Sequence, residues 1–133
     1  MHPDVIRAWA RALTAGELEK AASYFTLPAI VENGTPPVRV TSRAQVLEFN
    51  QLLPCGARLV ATVRRGVYTY ATFRLTQRVG GDCGAGTGAL AATAFLIRDG
   101  KIAEWRRLPN PGSGRQPPSA PTPAPAPSQG PVV

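Results

Sequence analysis

Between Leu53 and Ala57 the apolar side chains of this chain change period, from that of a helix to that of a strand, and the change fixes the order of its fold. Before it, Pro3 and Asp4 suit a helical first turn, and Val5, Ile6, Trp9, Ala12 and Leu13 recur at helical spacing to about residue 14. Thr14-Ala-Gly-Glu17 fits a capping box for a second helix with Leu18, Ala21, Ala22 and Phe25 along one face, stopped by Leu27-Pro28. An extended run over 29–33, the turn cluster 34–37 and the run 38–40 predict a small β arm. Thr41 or Ser42 then caps a third helix, whose Val46, Leu47, Phe49, Leu52 and Leu53 form an apolar stripe ending at Pro54.

After the change, four strands are predicted over 57–65, 67–78, 88–98 and 101–108, joined at Arg65-Gly66, at the Gly-rich stretch 80–88 and at Asp99-Gly100. Successive hairpins make an antiparallel meander, and three helices that precede it have one face to cover. The expected class is α+β, a curved antiparallel sheet wrapped around three N-terminal helices, as one domain over residues 1–110. Residues 111–133 are dominated by Pro, Ala, Ser and Gly and cannot bury enough surface to offset their ordering entropy, so a disordered tail with polyproline II character is expected there.

The net charge of +7 raises the question of a nucleic-acid or membrane partner. The arginines are spread over every element, interleaved with acids, in runs no longer than two, which predicts a solvated basic surface and neither partner. No apolar run reaches the length of a signal core or a membrane span, and a cytoplasmic setting is expected. With His2 the sole histidine and no Cys/His ligand spacing, neither a metal, nor another cofactor, nor a histidine-based triad is expected. Cys55 lies just before one strand and Cys83 just beyond the end of its hairpin partner, so the two can reach bridging distance; two separate thiols are the alternative.

The order helix, helix, β arm, helix, four strands resembles the nuclear-transport-factor-2-like cone, the superfamily of ketosteroid isomerases, limonene epoxide hydrolases and SnoaL-like polyketide cyclases. The likeness covers residues 3–108 and is carried by ALTAGELEKAASYF, by AIVENG with the prolines and capped helix after it, and by FLIRDGKIAEWRRL. It implies a conical, often apolar pocket between helices and sheet, and a homodimer formed through the outer sheet face. Alignment on these stretches sets Trp9 where the isomerases carry an oxyanion-binding tyrosine, Asn33 where they carry the aspartate that moves the proton, and Thr93 where a protonated acid assists. An indole, an amide and a hydroxyl cannot do that proton transfer near neutral pH. Asn33 also matches the asparagine of the hydrolase water site, but Val31 stands at its tyrosine position and Arg107 replaces the aspartate after the Trp-Arg pair.

The acids that remain sit at helix starts, turns or exposed faces, with Glu32 and Glu104 alternating away from Asn33 and Trp105. The reading is therefore a small-molecule-binding cone without the usual catalytic acids, its ligand apolar or aromatic, with room for a carboxylate. Its ligand-binding candidates are Trp9, Asn33, Phe49, Thr93, Trp105 and Arg107, the last an inward charge in need of a partner. Tyr68, Tyr70, Thr72, Arg74, Thr76 and Arg78 share one strand face as a polar-aromatic band, such as dimer surfaces carry, with plain solvent exposure the alternative. The alternatives are an isomerase, cyclase or hydrolase using unconventional groups, or a regulatory module.

Overall fold

The structure, a computed structural model, describes residues 2–109. The segment expected to be a disordered tail lies outside the described residues. The helices α1 (His2–Thr14), α2 (Leu18–Ser23) and α3 (Arg43–Gln51) cover one face of a six-stranded sheet ordered β2-β1-β6-β5-β4-β3. Its strands are β1 (Phe25–Glu32), β2 (Val38–Val40), β3 (Gly56–Arg65), β4 (Tyr68–Thr76), β5 (Leu90–Arg98) and β6 (Lys101–Arg107). The four C-terminal strands fall within two residues of their predicted limits. Irregular register at Leu59/Ala61 and Leu96/Ile97 marks bulges, which bend a sheet around what it covers.

The result is the α+β cone expected, with a correction to the sheet. It is mixed, because β1 runs parallel to β6 while the other neighbours are antiparallel. A hairpin enforces antiparallel pairing; β1 is separated from β6 by α3 and four strands, and that long connection leaves its direction open. Pro28 lies inside β1, where the register to β6 is irregular between Phe25 and Ile30, so the missing N–H interrupts no regular ladder.

A second correction concerns Thr14. Its hydroxyl does not cap α2, whose first turn has no side-chain cap. Thr14 Oγ1 instead donates to Ala10 O at 2.8 Å and accepts from Ala57 N–H at 2.9 Å, tying the end of α1 to the start of β3. Gly56 permits this approach, since a Cβ there would lie 2.7 Å from Thr14 Oγ1. The cap of α3 forms as read: Gln45 N–H donates to Ser42 Oγ, and Ser42 N–H donates to Gln45 Oε1.

Trp9 stands at the centre of the inner core, edge-on to Phe73, Phe95 and Trp105 at centroid distances of 6.0, 5.8 and 6.1 Å. The outer sheet face carries a second buried cluster, Tyr68, Tyr70, Ala92, Ala94 and Leu108. Glu104 does face outward, but it is buried and not exposed: it accepts from Tyr68 Oη at 2.9 Å and from Arg106 Nε at 2.7 Å, and Arg106 Nη1 reaches Glu32 Oε1 at 2.8 Å. Burial, and then the bond to Glu104, push the Tyr68 phenol up from 10.0 to about 12.

The folded chain therefore holds this proton more tightly than the unfolded chain. Its contribution to stability is complete below pH 10.0 and is lost as pH rises towards about 12. Urea midpoints measured across that window are expected to fall, and to fall less steeply in Tyr68→Phe. An equal slope in both chains would show that Tyr68 is not responsible.

Candidate functional site

Period-two alternation in the last three strands brings Phe73 and Leu75 of β4, Ala91 and Thr93 of β5, and Trp105 and Arg107 of β6 to the helix-facing side. With Trp9 and Leu13 of α1 they enclose a cavity of about 290 Å³. Asn33, just past β1, reaches it from one side, and the connection Leu53-Pro54-Cys55 with Cys83 and Gly86 closes another. Five of the six candidates read from the sequence thus meet at one place. Phe49 does not line this cavity. It borders an adjoining groove of about 340 Å³ with Val31, Asn33, Val40 and Glu48, and its ring packs 5.0 Å from that of Trp105. A wider depression, about 610 Å³ between α1 and the β3 and β4 ends, holds none of the candidates.

Arg107 requires a correction. It faces the cavity side but is exposed, because β6 ends there and the helices no longer cover the sheet. The deeply buried arginine of this pair is Arg106, on the other face, paired with Glu104 and Glu32. Asn33 is likewise exposed, at the rim, whereas Thr93 is buried and lies beside Arg107 across the β5–β6 pair.

The two tryptophans differ in what their indole N–H does. Trp9 Nε1 donates to Asn50 Oδ1 at 2.9 Å, and Asn50 Nδ2 donates to Val46 O, so this pair is satisfied within the core. Trp105 Nε1 is buried and has no hydrogen-bond partner among the described residues. Asn50 was not among the sequence candidates; its signal was a polar residue on the apolar stripe of α3, four after Val46 and three before Leu53.

Cys55 and Cys83 are joined by a disulfide, their Cα atoms 4.4 Å apart. The bond fastens the β4–β5 loop to the connection before β3, so both sulfurs belong to residues of the cavity wall. Arg78, placed by the sequence on the outer band, lies beyond β4 and is buried in the same loop. Its guanidinium donates to Leu53 O and Gln51 O at 2.7 and 3.0 Å, satisfying carbonyls at the end of α3, and to Val79 O of its own loop at 2.8 Å.

Among the described residues no carboxylate lines the cavity, and no group of three or more His, Cys, Asp or Glu could hold a metal ion. What the arrangement offers is an apolar aromatic wall, one orphaned donor, one hydroxyl, a rim amide and a guanidinium at the mouth.

The chain has the nuclear-transport-factor-2-like cone fold. A presumed polyketide cyclase from Sinorhizobium meliloti matches with a TM-score of 0.63 at 16% identity, over 79% of this chain and 94% of that one. A protein of unknown function from Cytophaga hutchinsonii, described as nuclear-transport-factor-2-like, gives 0.62 at 8% identity over 80% and 88%. A protein with a ketosteroid isomerase-like fold from Catenulispora acidiphila, in complex with trimethylamine, gives 0.61 at 17% over 85% and 90%. No family model and no curated protein matches the sequence. At these identities the likeness establishes the fold and leaves the activity to the site.

Proposed function

We propose that the protein binds a small apolar or aromatic molecule carrying a hydrogen-bond acceptor, best a carboxylate, in the cavity between α1 and the inner sheet face. The observation that carries this reading is the orphaned Trp105 Nε1: a buried donor left unpaired is costly, and a ligand acceptor in the adjoining cavity would satisfy it. Trp9, Phe73 and Trp105 supply apolar surface, Thr93 a second polar contact, and Asn33 an amide at the rim. Arg107, exposed at the mouth, selects for negative charge. Phe49 acts by holding the Trp105 ring.

That the Catenulispora acidiphila protein is in complex with trimethylamine supports a small ligand in such a cone, though a cation suits this mouth poorly. Isomerase, cyclase or hydrolase chemistry of the acid/base kind asks for a carboxylate beside the substrate, and the cavity wall supplies none. Binding is therefore favoured over turnover.

The test titrates the full chain with naphthalene-2-carboxylate and with the uncharged alcohol of the same ring, following tryptophan fluorescence. The carboxylate is expected to bind more tightly, and Arg107→Gln to weaken it roughly tenfold while leaving the alcohol unchanged. Equal binding of both probes would remove Arg107 from the site, and failure to bind either, with no molecule retained in native mass spectra, would sink the reading. Unaltered carboxylate binding by a folded Asn33→Ala chain would remove the rim amide.

A further inference from the structure

At the margin of the sheet β3 pairs with β4 alone, and no described strand lies on its other side. Helix α1 runs antiparallel beside this open edge. At one end Ala57 N–H donates to Thr14 Oγ1 at 2.9 Å, and at the other Arg64 Nη1 stands 3.3 Å from His2 Nδ1. Between helix and strand lie two depressions, one of about 610 Å³ bordered by Arg7, Arg11 and Leu59, and one of about 310 Å³ bordered by His2, Thr62 and Arg64. They follow the seam from one end of β3 to the other.

Alternate residues of an edge strand direct N–H and C=O away from the sheet. Ala57 is one of them, and Thr14 Oγ1 occupies its groups. Leu59, two residues on and paired with Phe73, turns its N–H and C=O the same way, where no described strand meets them. From Leu59 to Arg64 the edge is roughly 20 Å long, enough for about six residues of an added strand. Charge marks the same seam. Among the described residues no carboxylate lines either depression, whereas Arg7, Arg11, Arg58 and Arg64 do. Arg7 meets the exposed Asp4 at 3.9 Å, and Arg11 and Arg58 have no ion-pair partner among the described residues. Arg7 and Arg11 stand four apart on one helix face, a like-charge pair that an anion beside them would relieve. Val60 and Val63 of β3 are 49% and 50% exposed, so apolar side chains flank the edge as well.

We propose that this seam docks an extended acidic segment of a partner protein, which adds to β3 as a seventh strand. The main chain of the segment completes the open ladder, and its alternate side chains set carboxylates against the arginines and apolar groups against the valines. A second copy of β3 is a poorer occupant. The strand contains no acid, so no register of two β3 strands sets a cation against an anion, and charged side chains on an edge oppose pairing with their like. The seam shares only Ala57 with the lining of the ligand cavity, so docking there is independent of what the cavity binds.

The probe is a fluorescein-labelled, amide-capped peptide of three Glu-Val repeats, titrated against the full chain by fluorescence anisotropy at low salt. One control peptide has three Lys-Val repeats. Another is the acidic peptide N-methylated at two adjacent residues, so that one of them always faces the edge. The acidic peptide is expected to bind, each control to bind about tenfold more weakly, and a chain carrying Arg7→Gln and Arg11→Gln to lose about tenfold in affinity. Saturating peptide should slow hydrogen exchange at the Leu59 amide about tenfold. Equal affinity for the N-methylated peptide would mean ion pairing without an added strand and overturns the proposal. Failure of the acidic peptide to bind, or unchanged affinity in the folded double variant, does so too. Should that variant not fold, the Leu59 amide of the parent decides, and an unchanged exchange rate rejects the added strand. A Leu59 amide already protected without peptide, together with a dimer mass by sedimentation, would assign the edge to a second copy instead.

Discussion

Trp9→Ala is expected to destabilise the chain by about 3 to 5 kcal/mol, the scale for removing a large buried aromatic side chain whose space does not collapse. Trp9 is 2% exposed and meets three aromatic rings edge-on, so truncation leaves a void lined by groups that cannot all move inward. The same change strips Asn50 Oδ1 of its donor, and Asn50 is fully buried. Trp9→Phe separates the two effects, since it keeps a ring in the core and loses the indole N–H; about 1 to 3 kcal/mol is expected from the orphaned amide. Adding Asn50→Leu to Trp9→Phe should recover part of that loss, and the double-mutant cycle measures the coupling. Urea unfolding checks these chains together with Asn50→Leu alone, which completes the cycle. A Trp9→Ala midpoint within about 1 kcal/mol of the parent would mean that α1 does not seat on the sheet as described.

This result also governs how binding data are to be read. Trp9 lines the cavity and holds the core together, so loss of ligand in Trp9→Ala would not by itself identify a contact. Arg107 and Asn33 are exposed at the mouth and can be changed with little cost to the core, which makes them the informative positions.

The sequence made most of this legible because its local signals agree with its tertiary arrangement. Ser42 followed three residues later by Gln45 predicts a capped helix and makes one. The alternation through Phe95 and Trp105 places both rings on the helix-facing side. Thr14 failed as a cap because a hydroxyl that fits a local motif was taken by a strand 43 residues away. The direction of β1 depended on a long connection that no turn residue encodes.

The Arg106-Arg107 pair shows the limit most clearly. Parity alone sends Arg107 inward and Arg106 outward, and both go there, yet burial runs the opposite way. Parity tells which face a side chain takes; it does not tell what covers that face at that height. Asn50 escaped notice for a related reason, since its significance came from the Trp9 indole 41 residues away. The site was read largely from the resemblance and from inward alternation, which explains why its apolar wall was legible and the unpaired donor on Trp105 was not.

Replacing both Cys55 and Cys83 by serine, or reducing the native chain, is expected to lower stability by about 3 to 4 kcal/mol, because the bond closes a loop whose ends are 28 residues apart and so restricts the unfolded chain. Intact mass should rise by two hydrogens on reduction of the parent, which establishes the starting state before any unfolding is measured. The effect should reach the cavity, since Cys55 and Cys83 stand in its wall and the bond fastens the β4–β5 loop to the connection before β3. Arg78 holds the same region independently through three carbonyls, so the reduced chain is expected to stay folded with a looser loop and to bind the carboxylate probe more weakly. The setting of the protein then matters to its chemistry. A reducing cytoplasm would hold the weaker-binding form, and an oxidising compartment the tighter one. Equal melting temperatures for oxidised and reduced chains, with the two-hydrogen mass difference verified, would show that the disulfide neither restricts the unfolded chain nor supports the cavity wall.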